Sequence, residues 1–292
     1  MKKSKGRIVF EVINVIVLSL LSFACLFPLL NILAMSFSSS TAVAAGKVSI
    51  FPVEFNLYAY DYVVGKADFW KSLLRSVERV AIGLPLNMIL TIMLAYPLSK
   101  ESTSFRMRTV YVWIFFFTML FSGGLIPGYL LIQNLKMMDT IWALVLPAAV
   151  PVYNVILMLN FFRGIPQELE EAAEIDGAGQ WRICFQIFVP CAKPSIATLM
   201  LFSFISHWNS WFDGLIYSNF PSSYPLASFL QTVVVQRDMT LLSLEDWQSM
   251  SMISDRTVRC AQIFVGIIPI ILIYPFAQKY FVKGMTVGSV KG

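Results

Sequence analysis

A single histidine, His207, stands in 292 residues, which removes every metal site and every catalytic pair that needs two imidazoles. Charge is scarce as well: 13% of the residues are charged and 57% are hydrophobic, against roughly 25% charged in an ordinary soluble domain. So few charges cannot clothe a water-soluble surface. The expected fold is therefore all-α, a polytopic bundle whose solvent is lipid and whose backbone is satisfied within each helix. The four cysteines, Cys25, Cys184, Cys191 and Cys260, show no CxxC pairing, so neither a disulfide nor a metal site is expected. No P-loop, GxGxxG or GxSxG run occurs, so the chain is not expected to be an enzyme, to bind a cofactor or to hydrolyse ATP by itself. The net charge of +5 is no sign of nucleic acid, because membrane proteins gather Lys and Arg on the cytoplasmic side for topological reasons.

What the chain has in abundance is long apolar runs. Six spans are expected, at about 10–36, 72–98, 109–132, 141–162, 195–217 and 258–282, in one transmembrane domain covering residues 1–292. The start, with Lys2, Lys3, Lys5 and Arg7 before an apolar run and with Ala42-Val43-Ala44 beyond it, has the outline of a cleaved signal. Val12 to Met35 is longer than the roughly 7–15 apolar residues of such a signal, so it is read as an uncleaved first helix. Arg75, Glu78 and Arg79 open the second helix, where Glu78 can pair with either arginine. Ser122-Gly123-Gly124 with Pro127-Gly128, and Pro147 with Pro151, interrupt the third and fourth. These breaks are either ordinary membrane-helix tolerance or the lining of a pathway. Lys100, Arg106, Arg108, Arg163, Arg182, Lys193, Lys279 and Lys283 fall on the side of the N-terminus, while the long segments 37–70 and 218–257 hold only Lys47, Lys66, Arg237 and Arg256. Both termini are therefore expected in the cytoplasm.

One polar interruption organises the second half of the chain: residues 163–194, containing GIPQELEEAAEIDGAGQWRICFQIFVPCAKP. Pro166 suits a first helical position, and Glu168, Glu170 and Glu171 favour the positive end of the helix dipole. Leu169, Ala172 and Ala173 share a face, small enough for a partner surface to approach. Asp176-Gly177 is a helix stop with Gly177 able to take a left-handed cap. A second helix follows with Trp181, Cys184, Phe185 and Phe188 on one apolar face, ended by Pro190.

Glu171-Ala172-Ala173, three residues, Gly177, nine residues, then Ile187 and Val189-Pro190 resemble the EAA loop of ABC-importer permeases, with Val189 in place of leucine. The version with Asp176-Gly177-Ala178 and Lys193-Pro194 is similar to sugar-importer permeases of the MalG and LplC type, and the likeness runs from about residue 8 to the end. The resemblance implies the type I importer permease fold, with Glu168, Leu169, Glu171, Ala172, Ala173, Ile175, Asp176 and Gly177 in a coupling helix that docks on a cytoplasmic ATPase. It also implies the partners: a second permease, two ATPase subunits that bind the ATP and Mg, and a periplasmic or lipid-anchored solute-binding protein. The cargo implied is a saccharide, with acidic polymers such as alginate a candidate. Under the same likeness the tail, through Met285, Thr286 and Val287, reaches the ATPase; by composition alone it is a basic, frayed end.

In the fifth span His207 and Trp211, and Asn209 and Asp213, stand four apart, so each of two faces pairs a polar group with an aromatic surrounding. Polar groups at membrane depth face a cavity or another helix. They either line a sugar path or form an interfacial belt bonded between subunits. Two other functions stay open: an importer for a non-sugar solute, which the Asp-Gly-Ala and Lys-Pro version of the loop disfavours, and a stand-alone secondary transporter. The latter wants carboxylates at mid-membrane, and Glu11 and Asp213 sit toward helix ends.

Overall fold

The computed structural model describes residues 5–101, 105–232 and 255–288, with side chains as far as residue 275. Lys2, Lys3, residues 102–104 of the basic loop, residues 233–254 of the long segment 218–257, and Ser289 to Gly292 lie outside the described residues. Among the described residues every regular element is a helix and none is a strand. Among the described residues three helices are long and apolar enough to cross a membrane, and the number rises to as many as six if each of three bent pairs counts as one span. The residues group into two compact units: Met1–Phe69 with Leu230–Ile268, and Trp70–Phe229 with Pro269–Gly292.

In the first unit, α1 (Lys5–Ser36) is apolar on every side over its most hydrophobic 18 residues, none of which is buried, whereas Ala34 and Ser36 at its end are buried. It offers hydrocarbon all round, which suits lipid or another membrane helix. Ser39 caps α2 (Ser40–Ala44) by accepting the Ala42 N–H at 3.2 Å. Phe37 stacks with Phe55 and with Tyr60 of α3 (Tyr58–Gly65), and the Tyr60 and Ser36 hydroxyls meet at 2.7 Å.

The remaining elements depart from the expected spans mainly at their breaks. α4 (Ala67–Ser99) is one uninterrupted helix despite Pro85 and Pro97. The third span is two helices, α5 (Arg108–Leu120) and α6 (Leu125–Asn134), bent by 106° at a gap where Gly124 has φ +89°. A residue with a β-carbon resists that backbone, so the glycine pair turns the chain instead of merely loosening it. The fourth span is α7 (Ile141–Val145), a 3-10 turn at Leu146–Ala148 and α8 (Val152–Arg163), bent by 46°. Pro151 causes that bend, since it lacks an N–H and forces its predecessor out of the helical region.

The polar loop folds as α9 (Glu168–Ile175), then α10 (Gln180–Ile183), a π-helical turn at Cys184–Phe188 and α11 (Val189–Cys191). α12 (Lys193–Asn209) starts with Pro194 in its first turn, at 84° to the preceding helix. The fifth span does not continue to residue 217: it breaks at Ser210 and resumes as α13 (Phe212–Tyr217). After α14 (Leu226–Leu230), α15 runs Asp255–Gly288, so the main chain at Met285 to Val287 is helical and not frayed.

Candidate functional site

The loop 163–194 rests on an aromatic core of the second unit. Tyr96 of α4, Phe162 of α8 and Phe188 of the π-helical turn meet edge to face, with ring centroids 5.1, 5.5 and 6.4 Å apart. Ile183, Cys184, Ala192 and Leu199 extend this core. The expected apolar face of the second loop helix is therefore corrected. Cys184 and Phe188 are buried, but Trp181 and Phe185 are exposed and stack on one another at 6.1 Å. The π turn adds a residue to the helical repeat and so rotates the buried stripe onto Ile183, Cys184 and Phe188.

α9 is fastened from behind by polar contacts. Lys100 pairs with Glu170 and lies over the Tyr96 and Phe188 rings at 4.1 and 4.6 Å. The Tyr96 hydroxyl donates to Gln180 Oε1 at 2.7 Å, and Gln180 Nε2 donates to Glu174 Oε1 at 3.0 Å. The helix ends in a Schellman turn: the Gly177 N–H donates to the Glu174 carbonyl at 3.0 Å and the Ala178 N–H to the Ala173 carbonyl at 2.9 Å, with Gly177 at φ +74°. The glycine stop read from the sequence is thus formed as expected.

The face assigned to a partner needs one correction. Ala173 is buried in this chain's own core, because α9 leans on α8 and the π turn, so its small side chain admits the neighbours behind it. Glu168, Leu169, Glu171, Ala172 and Asp176 are exposed, and Ile175 is 87% exposed. The acidic α9 thus leaves Leu169 and Ile175 uncovered by this chain.

A second constellation lies deeper, and half of it escaped the sequence reading. Arg79 is 1% exposed and grips Asp213: Nη1 donates to Oδ1 at 3.1 Å, Nη2 pairs with Oδ2, and Nη1 also donates to the Ser210 carbonyl at 3.2 Å. Arg79 Nε reaches His207 Nδ1 at 3.5 Å. His207 Nε2 lies 2.6 Å from Asn87 Oδ1, and Asn87 Nδ2 donates to the Ala148 and Ala149 carbonyls at 2.7 and 2.9 Å. With the Asn87 NH2 committed to those carbonyls, its Oδ1 must accept, which assigns the proton to His207 Nε2 and leaves Nδ1 to accept from Arg79. Gly83 makes the approach possible, since a β-carbon there would stand 2.6 Å from the imidazole. Glu78 pairs with Arg75 at 2.9 Å and leaves Arg79 for the interior.

Of the residues placed on the fifth span, His207 and Asp213 come together on Arg79, whereas Asn209 and Trp211 are exposed and take no part. The break at Ser210 defeats the four-residue spacing that paired them. Arg79 was missed because, from spacing alone, a basic residue near a helix start reads as an interfacial anchor. A further signal was present in Asn87, eight residues or roughly two turns along the same helix face.

A cavity of about 550 Å³ adjoins this network, lined by Asn87, Tyr153, Asn154, Ser203, Ser206 and His207, with Ala148, Val150 and Pro151 from the proline break. The break in the fourth span therefore lines a cavity.

Comparison with known proteins places the whole arrangement. Residues 1–287 match the family of binding-protein-dependent transport system inner membrane components. Protein LplC of Bacillus subtilis (strain 168) is 37% identical over 292 residues, covering 100% of this chain and 98% of that protein. The polygalacturonan/rhamnogalacturonan transport system permease protein YtcP of the same organism is 38% identical over 275 residues, 94% of this chain and 96% of its own. The crystal structure of a bacterial ABC transporter involved in the import of the acidic polysaccharide alginate contains a chain that superposes with a TM-score of 0.87 at 32% identity, covering 96% of this chain and 99% of that one.

Proposed function

The chain belongs to the binding-protein-dependent transport system inner membrane components, and from that premise we propose that it forms half of the translocation pathway of an ATP-driven importer for an oligosaccharide. As a transport permease it is not itself an ATPase. The partners would be a second permease of the family, two ATPase subunits that bind ATP and Mg, and a periplasmic or lipid-anchored binding protein that delivers cargo. Both termini would lie in the cytoplasm, and the helical stretch through Met285, Thr286 and Val287 would reach the ATPase. The saccharide assignment draws on the cargo named for YtcP and for the alginate importer; acidic polymers belong to the same reading.

The observation that carries the coupling role is α9 itself. It is clamped to the end of α4 by Lys100–Glu170 and, through Gln180, by the chain Tyr96–Gln180–Glu174, yet it exposes Glu168, Leu169, Glu171, Ala172 and Ile175. Such a helix transmits a push as a docked body. ATP closing the ATPase dimer would displace α9, and the core behind it would carry α4, α8 and α12 between inward- and outward-facing arrangements. The nucleotide can bias those states only through contacts that differ between them. His207 enters this reading as part of the wall of the pathway, with Asp213 behind it holding Arg79 in place.

The test is reconstitution in liposomes with the cognate permease, ATPase and binding protein. ATP hydrolysis and uptake should rise when the binding protein carries an oligosaccharide. Stimulation by amino acids or phosphate esters but by no saccharide would transfer the chain to the non-sugar reading. Uptake by this chain alone, driven by an ion gradient, would replace both.

A further inference from the structure

The cavity beside His207 sits in a charged neighbourhood but contains no available charge. Arg79 and Asp213 neutralise each other and are committed to the buried network with His207 and Asn87. His207 is held between Arg79 and Asn87, and the Asn87 amide is consumed by His207 and two carbonyls. What remains to face a ligand is neutral. Asn154 Nδ2 donates to Ser203 Oγ at 3.1 Å, which frees the Asn154 amide oxygen to accept and the Ser203 hydroxyl to donate. Ser206 is exposed on the same face of α12, three residues on. Two aromatic side chains, Tyr153 and Phe202, stand 59% and 37% exposed on the lining.

Building on the saccharide reading, we infer that this cavity is a subsite for an uncharged, hydroxyl-bearing face of a sugar ring, and that it does not read carboxylates. Hydroxyls exchange hydrogen bonds with amides and serine hydroxyls at little net desolvation cost, and ring C–H faces lie on aromatic side chains. A carboxylate entering here would lose its water and meet no cation, since the buried arginine is already spent on Asp213. If the cargo is acidic, its carboxylates must be turned out of this subsite and recognised by other surfaces of the assembly.

The experiment uses the complete reconstituted importer and measures half-saturating concentrations for uptake of a neutral oligosaccharide and of an acidic one. Ser206→Ala removes a hydroxyl that takes no hydrogen bond from this chain among the described residues, so folding should be untouched. Asn154→Ala and Tyr153→Leu remove the acceptor and the ring, and Tyr153→Phe restores the ring. Each of the first three should raise the half-saturating concentration about 3–10-fold, the size of one lost polar or stacking contact. The rise should be equal for both cargoes, with Tyr153→Phe near wild type. Ser206→Asp should impair the acidic cargo more than the neutral one. Unchanged uptake in Ser206→Ala and Tyr153→Leu, or a loss confined to the acidic cargo, would overturn the subsite while leaving the importer reading intact. A wild-type complex that no saccharide stimulates would remove both.

Discussion

Arg79 is the most deeply buried charged side chain among the described residues, and its burial carries an energetic consequence. A guanidinium 1% exposed within a membrane helix is tolerable only because Asp213 and the Ser210 carbonyl meet it. Removing Asp213 leaves the guanidinium buried without its counter-ion, at about 3–5 kcal/mol, and removing Arg79 costs less because Asp213 keeps Ser210 Oγ and the Gly214 N–H, whereas replacing both by apolar residues is often close to neutral. Arg79→Leu and Asp213→Leu should each lower the unfolding temperature of the detergent-purified permease markedly, and the double variant should recover most of that loss. A double variant as unstable as the sum of the singles would mean that the two residues do not act as a pair.

At the scale of the element, α9 has an inner and an outer side that separate stability from coupling. Ala173 is packed inward, so Ala173→Leu should overpack this chain's own core and cost about 1–3 kcal/mol of its stability. Gly177→Val should cost about 1–2 kcal/mol through the left-handed backbone alone, because nothing lies within 4 Å of the added carbon. Glu171→Lys and Ile175→Asp change exposed positions and should leave stability within about 0.5 kcal/mol, yet release the ATPase or uncouple it from the loaded binding protein. Thermal unfolding of the permease, paired with ATPase co-purification, checks both halves. A stable Ala173→Leu that loses only the ATPase would place that residue back on the partner's side.

At the scale of the molecule, the proposed orientation rests on the asymmetry of Lys and Arg. Among the free cysteines Cys191, in the coupling loop, is exposed, as is Cys25, while Cys184 and Cys260 are buried. With Cys25 replaced by serine, Cys191 should react with a membrane-impermeant maleimide only from the cytoplasmic side. Ser222→Cys, in a background that also lacks Cys191, should react only from outside. Labelling of Cys191 from outside would invert the topology and remove α9 from reach of any ATPase.

Much of this protein was legible in composition and local chemistry. The membrane class follows from 57% hydrophobic residues, and the Schellman stop of α9 from a glycine set after an acidic helix, because both depend on groups adjacent in sequence. The spacing of the EAA loop survives for the same reason: a coupling helix is a local object. What only the tertiary structure decided depends on partners far apart in the chain. Arg79 meets Asp213 across 134 positions and His207 meets Asn87 across 120, and no periodicity on one helix foretells either contact. The chain's bends at Gly124 and Pro151 are read from sequence as possible breaks, but their angles come from packing, and neither the break at Ser210 nor the phase shift of the π turn was foreseen. Tertiary packing turned Ala173 inward, set Asn209 and Trp211 aside, and opened a neutral cavity beside a buried ion pair.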